Sequence, residues 1–278
     1  MLRAGKLVAF PTETVYGLGA NALDNRAVRN IFEAKGRPSS SPLIVHVSSV
    51  EMARELAAVW PEDADKLARR FWPGPLTIVV PKNSRVPDVV TAGLPSVGLR
   101  IPAHPVALAL LQAAQIPIAA PSANRFTQLS PTTAEHVREA FPDIFIVDGG
   151  ACKVGIESTV ISLAGRKPRI LRPGMISQRE IEDAIGPVET GSGPESPGQH
   201  PRHYSPRTPV ILGTPPVEGR GARLDLATMP GDPAHYAEQL YATLHALDRQ
   251  GYDWIAIELP PDTPEWAAVR DRLQRACW

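Results

Sequence analysis

The sequence predicts an α/β protein, and three observations lead to that prediction. Residues 1–190 alternate short apolar runs with stretches in which apolar residues recur at helical spacing. A segment rich in proline and glycine follows at 191–207, and the alternation of strand and helix patterns resumes at 208–278. Because proline and glycine at that density interrupt helices and central strands, we predict a large domain, a linker and a small domain over these three ranges.

In the large domain, short apolar runs predict the strands and helical spacing predicts the helices. The predicted strands are 7–10, 43–47, 76–80, 97–101, 116–119, 144–147 and 160–163. The predicted helices lie around Val28, Ile31 and Phe32 and within 51–60, 63–71, 105–114 and 132–141. Ser130-Pro131 is typical of a helix start, and Ser177 with Glu180 predicts a capping box that Ile176 and Ile181 would staple.

The small domain repeats the alternation on a smaller scale. Strands are predicted at 210–212, 223–226 and 254–259, and the residue order predicts a small parallel sheet. Helical spacing marks Tyr236, Leu240, Leu244 and Leu247, then Trp266, Val269 and Leu273 after a start at Thr263-Pro264-Glu265. No site residue stands out here, so we expect this domain to act as a lid or an interaction module.

Length and composition exclude several classes of protein. The 278 residues are enough for each domain to bury a core, and 43% apolar residues are typical of a folded chain. The 29 basic residues are balanced by 29 acidic ones, so we expect no stable nucleic-acid complex. No apolar run reaches the roughly twenty residues of a membrane span, and the first residues lack a secretory signal. We therefore expect a cytoplasmic protein that does not bind membranes.

Two strand residues point away from their apolar neighbours. Arg100 lies opposite the apolar residues of 97–101, and His46 lies opposite those of 43–47. Each needs a partner, because a buried polar or charged group without one is costly. A local carboxylate or carbonyl would satisfy either residue, and so would a bound ligand.

Polar side chains concentrate in four predicted loops, at 11–19, 35–42, 120–124 and 171–174. Loops at strand ends are where α/β folds build their sites. Lys35, Arg37 and Arg172 supply positive charge beside hydroxyl and amide groups, a mixture that suits a phosphate-bearing small molecule better than a duplex. For Lys35 and Arg37 alone, a basic helix end that complements the macrodipole is the simpler interpretation.

Sequence signatures of other chemistries are missing. Neither a P-loop nor a dinucleotide-binding fingerprint occurs, and there is no G-x-S-x-G elbow. Cys152 and Cys277 are too few for a disulfide framework or a four-thiolate zinc site. His200 and His203 of the linker have no accompanying cysteine or carboxylate cluster, so we assign no metal ligand. The residues alone predict a domain that binds an anionic ligand, and they leave the reaction open.

Nine blocks of residues carry a more specific signal. They are FPTETVYGLGA at 10–20, KGRP at 35–38, PLIVH at 42–46, FWPGPLT at 71–77, RIPAHP at 100–105, APSAN at 120–124, SPT at 130–132, EST at 157–159 and LRPG at 171–174. In order and spacing these blocks resemble the YrdC-like threonylcarbamoyl-AMP synthase family, and residues 196–206 resemble the linker of its longer, two-domain branch. The resemblance implies a twisted mixed sheet with helices around a large, positively lined cavity, followed by a small Rossmann-like C-terminal domain.

The resemblance also implies a reaction and its site residues. L-threonine, bicarbonate (or CO2) and ATP with Mg²⁺ would give L-threonylcarbamoyladenylate and pyrophosphate, and other proteins would then transfer the threonylcarbamoyl group to adenosine 37 of tRNAs that read codons beginning with A. The implied threonine contacts are Thr14, His46, Arg100, Ala120 and Ser158. The implied ATP contacts are Arg37, Ser41, Ser96, Ser122, Asn124, Ser130, Arg172 and Tyr204, with Lys35 and Arg37 as the catalytic cations. Ser41 stands where the family more often has asparagine, and no residue is an obvious general base.

Two other interpretations stay open at this point. An RNA-binding protein could use the basic cavity without adenylation, although the neutral net charge argues against many phosphate contacts. A carbamoyl-transfer enzyme of the hydrogenase-maturation kind would contain a related domain, but those chains add zinc-finger cysteines and this one has two cysteines. Under the synthase interpretation, we expect the linker to gate the cavity through Tyr204.

Overall fold

The computed structural model describes residues 1–197 and 203–277; residues 198–202, which include His200, and Trp278 lie outside the described residues. The described chain forms a large mixed sheet with flanking helices and a second, small parallel sheet. The predicted α/β fold with a small C-terminal α/β unit is therefore confirmed. None of the described helices combines the length and the apolar character that a bilayer crossing requires.

The large sheet has ten strands among the described residues. They are β1 (Val8–Pro11), β2 (Tyr16–Asn21), β3 (Ile44–His46), β4 (Leu76–Pro81), β5 (Ser96–Arg100), β6 (Ile118–Ala119), β7 (Phe145–Ile146), β8 (Thr159–Ser162), β9 (Arg169–Arg172) and β10 (Glu189–Thr190). Their order in the sheet is β10-β9-β8-β4-β5-β3-β6-β2-β1-β7. Strands β3 and β5 are parallel neighbours near the centre, and this pairing sets the register of the site described below.

The helices of the large domain cover this sheet. They are α1 (Asn25–Lys35), α2 (Val50–Arg54), α3 (Glu62–Phe71), α4 (Asp88–Thr91), α5 (Pro105–Ala114), α6 (Ala134–Ala140) and α7 (Gln178–Ile185), with a 3-10 turn at Leu2–Ala4. Helix α1 begins at an Asp24 cap and buries Val28, Ile31 and Phe32, as their spacing predicts. The capping box of Ser177 and Glu180 is present at the start of α7, which confirms that prediction.

The small domain has the predicted parallel sheet. Its elements are β11 (Val210–Leu212), β12 (Gly221–Leu224), α8 (Pro233–Asp248), β13 (Trp254–Ile257), a 3-10 turn at Pro264–Trp266 and α9 (Ala267–Ala276), with strand order β11-β13-β12. Trp266, Val269 and Leu273 are buried in its core. That core also includes Val15 and Ile156 of the large domain, so the two domains share one apolar cluster.

The loop predicted at 11–19 is wrong in its second half, where β2 begins at Tyr16 and pairs antiparallel with β1. Two glycines made this segment look like a loop. Gly19 is required by packing, because a Cβ there would lie 2.7 Å from the ring of Phe10 and 2.9 Å from Ile118. Likewise, the loop predicted at 171–174 begins inside β9, which ends at Arg172.

The helix start predicted at Ser130-Pro131 is also wrong. Helix α6 begins three residues later at Ala134, and the Thr133 side chain caps it. The carbonyl of Pro131 instead accepts a hydrogen bond of 2.8 Å from the Tyr16 amide. This contact ties the segment to β2 and places Ser130 beside the cavity loops rather than in a helix.

Candidate active site

A cavity of about 50 Å³ lies between the large sheet, the 120–124 loop and residues of the linker. Nine of the fourteen predicted site residues line it: Thr14, Arg37, His46, Arg100, Ala120, Ser122, Ser158, Arg172 and Tyr204. The other five, Lys35, Ser41, Ser96, Asn124 and Ser130, are not in its lining.

Arg100 and His46 sit side by side because β3 and β5 pair in parallel with His46 opposite Arg100. Arg100 is buried and donates from Nη1 to Thr14 Oγ1 at 3.0 Å and from Nε to the Gly74 carbonyl at 3.1 Å. Its Nη2 lies 2.6 Å from Oε1 of Glu13, an ion pair without the alignment of a good hydrogen bond. The local carboxylate that the sequence left open is thus Glu13, which belongs to the same loop as Thr14.

His46 is a neutral polar group in the wall of the cavity. Burial and the adjacent charge of Arg100 lower its pKa to about 3, against a hydrogen bond to the Ile118 backbone that favours the protonated form. Its Nδ1 has no hydrogen-bond partner among the described residues. A buried nitrogen of this kind is satisfied when a bound ligand supplies a donor.

Ser158 connects the two predicted substrate regions. Its hydroxyl shares a hydrogen bond of 2.8 Å with Thr77 Oγ1 on β4. Arg172 donates from Nε to the Ser158 carbonyl at 3.0 Å and from Nη2 to the Ser158 hydroxyl at 3.1 Å. Its Nη1 donates to the Pro197 carbonyl at 3.1 Å, so the linker also contacts this arginine. A predicted threonine contact and a predicted ATP contact therefore touch each other directly.

Arg37 provides a second guanidinium on the side of the cavity where ATP contacts are predicted. Its Nη2 donates to the Ser41 hydroxyl and, at 3.1 Å, to the Pro42 carbonyl. Burial and the charge of Arg172 lower the pKa of Arg37 to about 10, which leaves it charged at neutral pH. Ser41 thus positions Arg37 rather than lining the cavity itself.

Lys35 lies behind the cavity wall. Its ammonium donates to the Ser122 carbonyl at 2.6 Å and to the Asn124 carbonyl, and it is buried. The Asn124 amide in turn donates to the Gln128 carbonyl at 2.7 Å. Lys35 and Asn124 therefore hold the 120–124 loop in its conformation, and the direct catalytic role predicted for Lys35 stays a prediction.

Ser96 and Ser130 occupy the periphery of the site. Ser96 starts β5 on the same face as Arg100, because side chains four positions apart on a strand share a face. The Ser130 hydroxyl donates to Oε1 of Glu157 at 2.5 Å. Glu157 lines the cavity and is bonded by Arg272 and Tyr241 of the small domain. The sequence gives no signal for a role of these three residues, and two of them come from the small domain, in which no site residue stood out.

The linker closes one side of the cavity through Pro197, His203 and Tyr204. Tyr204 is almost fully buried, and its ring lies 5.4 Å from the Arg272 guanidinium carbon. The gating role predicted for this residue stays a prediction.

Comparison with known families assigns the chain. Residues 1–174 match the Sua5/YciO/YrdC family, which is described as "Telomere recombination". The chain belongs to the Sua5/YciO/YrdC family. Residues 176–277 match the Sua5 C-terminal family, described as "Threonylcarbamoyl-AMP synthase, C-terminal domain". The resemblance to the two-domain branch, which rested on motifs and linker residues, is confirmed.

Relatives within the Sua5/YciO/YrdC family cover nearly the whole chain. The threonylcarbamoyl-AMP synthase of Pyrococcus abyssi is 44% identical over 310 residues, which span 99% of this chain and 91% of the relative. The threonylcarbamoyl-AMP synthase of Bacillus subtilis is 41% identical over 313 residues, with coverage of 99% and 90%. The crystal structure of P. abyssi Sua5 complexed with L-threonine matches at a TM-score of 0.92 and 41% identity, over 99% of this chain and 91% of that one.

Proposed function

We propose that this protein is a threonylcarbamoyl-AMP synthase. It converts L-threonine, bicarbonate (or CO2) and ATP into L-threonylcarbamoyladenylate and pyrophosphate. The observation that carries the proposal is the contact of Arg172 with Ser158, which joins a cationic region suited to phosphates to the pocket around Arg100. Relatives that match the entire chain bear the name of this activity, and one of them has been solved with L-threonine bound.

The pocket around Arg100 is suited to an α-amino acid. The Arg100 guanidinium would bind the threonine carboxylate, a charge-assisted contact that a planar fork makes well. Neutral His46 can accept a hydrogen bond from the substrate's amino or hydroxyl group at its unpartnered Nδ1. The Thr14 and Ser158 hydroxyls and the Ala120 backbone complete the proposed threonine site. A polar site of this kind rejects an amino acid that lacks the hydroxyl, because its own polar groups would stay unpaired.

The proposed chemistry has two balanced steps. The neutral amino group of threonine adds to CO2 to give a carbamate and one proton, or condenses with bicarbonate to give the same carbamate and one water. A carbamate oxygen then attacks the α-phosphorus of ATP, and the bond to the β-phosphate oxygen breaks to release pyrophosphate. Such a displacement depends mostly on positioning and on neutralisation of the phosphate charge.

Arg37 and Arg172 are the cations that would contact the phosphates, with Ser122 and Tyr204 beside them. Lys35 acts through the 120–124 loop that it holds, as do Ser41 through Arg37 and Asn124 through its own loop contacts. Ser96 and Ser130 are proposed at the edge of the ATP site. We assign no general base, because the carbamate oxygen is already an anion when it attacks.

Magnesium would enter with ATP as part of the substrate. The described residues contain no group of three or more histidine, cysteine or acidic side chains placed to hold a metal ion. Glu157 of the cavity lining and the buried Glu13 next to it in the site are each ion-paired with an arginine. The phosphate oxygens are then the natural ligands of Mg²⁺, as in other phosphoryl-transfer sites.

We further propose that the protein acts in the cytoplasm and that other proteins transfer its product to tRNA.

Pyrophosphate release tests the proposal. Release from ATP and Mg²⁺ should require both L-threonine and bicarbonate, and it should collapse in Arg100→Ala. Arg85→Ala removes a surface arginine that pairs with Glu55, and it should behave like the wild type. Release that is indifferent to threonine would contradict the proposed substrate. Binding of RNA with a steep salt dependence and no pyrophosphate release would favour an RNA-binding protein instead.

A further inference from the structure

Glu157 is an acidic group in the wall of a cavity that otherwise suits an anion. It is 7% exposed, and it lines the cavity together with Arg172. A carboxylate at this place would repel a triphosphate unless its charge were compensated. The structure therefore has to neutralise Glu157 without using up the arginines of the cavity.

The compensating charge comes from the small domain. Arg272 of α9 is fully buried and donates from Nε to Oε2 of Glu157 at 2.8 Å and from Nη2 to the Glu157 carbonyl at 3.3 Å. Tyr241 of α8 donates to the same Oε2 at 3.0 Å. Oε1 is left for the Ser130 hydroxyl at 2.5 Å. Both carboxylate oxygens are thus satisfied, and each has a defined partner.

Burial raises the pKa of Glu157, but the charges of Arg272 and Arg172 and the hydrogen bond from Ser130 outweigh that effect and keep it below its ordinary value. Glu157 is therefore ionised at neutral pH. Arg272 and Arg172 are the two cations that favour the ionised carboxylate, so removal of Arg272 would leave Glu157 to interact with Arg172. The carboxylate would then neutralise an arginine that is proposed to bind phosphate.

The small domain holds Ser130 at a second point. His245 Nε2 of α8 lies 3.2 Å from the Ser130 carbonyl, and the His245 ring stacks on His136 of α6 with centroids 3.8 Å apart. The hydroxyl of Ser130 is oriented by Glu157 and its carbonyl by His245. Two helices of the small domain therefore determine where this serine lies.

We propose that Arg272 is a positioning residue for ATP binding, which acts by neutralising Glu157 and holding it on Ser130. The inference rests on the proposed function, because it assumes that the Arg172 side of the cavity receives the triphosphate. In this arrangement the small domain provides an essential counter-charge to the site, in addition to any closure by the linker. Arg272 itself makes no contact with substrate.

The test is the kinetics of pyrophosphate release with ATP and L-threonine varied separately. Loss of a hydrogen bond to a charged group corresponds to roughly tenfold to hundredfold in affinity, so Arg272→Met should raise KM for ATP by about that factor. KM for threonine should change less than about twofold, because the Arg100 pocket keeps its contacts. The control is Arg249→Met, which removes a different ion pair between the domains, 2.9 Å to Glu139, and should leave both constants unchanged.

Rescue separates positioning from a purely structural role. Glu157→Gln removes the charge that Arg272 compensates, so the pair Glu157→Gln and Glu157→Gln/Arg272→Met should have the same KM for ATP. A further rise of about tenfold in the double variant would overturn the proposal, since Arg272 would then act independently of Glu157. An unchanged KM for ATP in Arg272→Met would overturn it as well.

The double variant also covers the case in which Arg272→Met does not fold, because it leaves no unpaired buried charge. Wild-type protein is the internal reference. If the wild type releases no pyrophosphate, the proposed function is wrong. If the wild type is active and Arg272→Met has an unchanged KM for ATP, only the inference about Arg272 is wrong.

Discussion

His46 should make the stability of the large domain depend on pH, and the structure gives the sign and the size of the effect. Its pKa is about 3 in the folded protein, against an ordinary value of 6.5. In the unfolded chain His46 therefore becomes protonated below about pH 6.5, whereas in the folded protein it becomes protonated only below about pH 3. The free energy of unfolding should decrease as the pH falls through this window, because the unfolded state binds more protons.

Between pH 7 and pH 5 the contribution of this one imidazole is about 2 kcal/mol, from 1.36 kcal/mol for each pH unit below 6.5. His46 is 3% exposed, so solvent screening reduces this figure little. His46→Gln removes the titration and should lessen the loss of stability between the two pH values by about 2 kcal/mol. The variant's stability at neutral pH is immaterial, because only the change with pH is compared.

The assay is urea unfolding followed by circular dichroism at pH 7 and pH 5, for wild type, His46→Gln and His235→Gln. His235 is exposed on α8, so its variant shows whether the loss of any histidine has the same effect. Equal pH dependence in wild type and His46→Gln would refute the reasoning, since it would mean that the buried imidazole accepts its proton in both states. The comparison needs equal denaturant slopes, which confirm that the same surface unfolds.

Two further variants test the loops that surround the site. Gly155→Ala places a Cβ 2.3 Å from the Ala237 carbonyl at a φ of +78°. We therefore expect it to lower the free energy of unfolding by more than about 1 kcal/mol in thermal unfolding and to speed proteolysis of the linker. Gly231→Ala is the control, because a Cβ at that position meets no atom within 4 Å. Lys35→Met leaves the Ser122 and Asn124 carbonyls without their donor, which costs about 1–3 kcal/mol, so we expect pyrophosphate release to slow about tenfold or more. Retention of full activity in Lys35→Met would show that the 120–124 loop keeps its conformation without the ammonium.

Local patterns predicted most of the fold because the elements that matter have strong periodicity. Val28, Ile31 and Phe32 mark one face of α1, and all three are buried. Strand β2 escaped prediction because its glycines at 17 and 19 imitate a loop, although Gly19 is there to admit the Phe10 ring. The Ser130-Pro131 pair has the composition of a helix start, but the Tyr16 amide binds the Pro131 carbonyl and overrides it. Both errors arise from contacts with residues elsewhere in the fold, which local sequence patterns cannot reveal.

Some residues of the site could likewise be predicted from local sequence patterns, and others could not. The alternation within 43–47 and 97–101 put His46 and Arg100 opposite their apolar neighbours, and the β3–β5 register then brings them together. Family motifs supplied the remaining residues, whereas the contacts of Glu157 with Arg272 and Tyr241 had no signal in the sequence. Residues 157 and 272 are 115 positions apart, and an arginine on an amphipathic helix looks like a solvent-exposed side chain. Only the packing of α9 against the large domain shows that it is buried.

The buried carboxylates of Glu13 and Glu157 are compensated in different ways, and under the proposed function the difference matches the ligand of each half of the site. Glu13 pairs with Arg100, a member of the cavity lining, so an incoming threonine carboxylate meets a guanidinium already shared with an acid. Binding there is an exchange between two carboxylates, which moderates affinity and favours a ligand that also satisfies His46 and Ser158. Glu157 pairs with Arg272 from outside the lining, so neither Arg37 nor Arg172 has a carboxylate partner in the described part of the chain, and both are available for the proposed triphosphate. Under the proposed function, the counter-charge from the second domain allows one cavity to bind an amino acid by exchange and a nucleotide by net attraction.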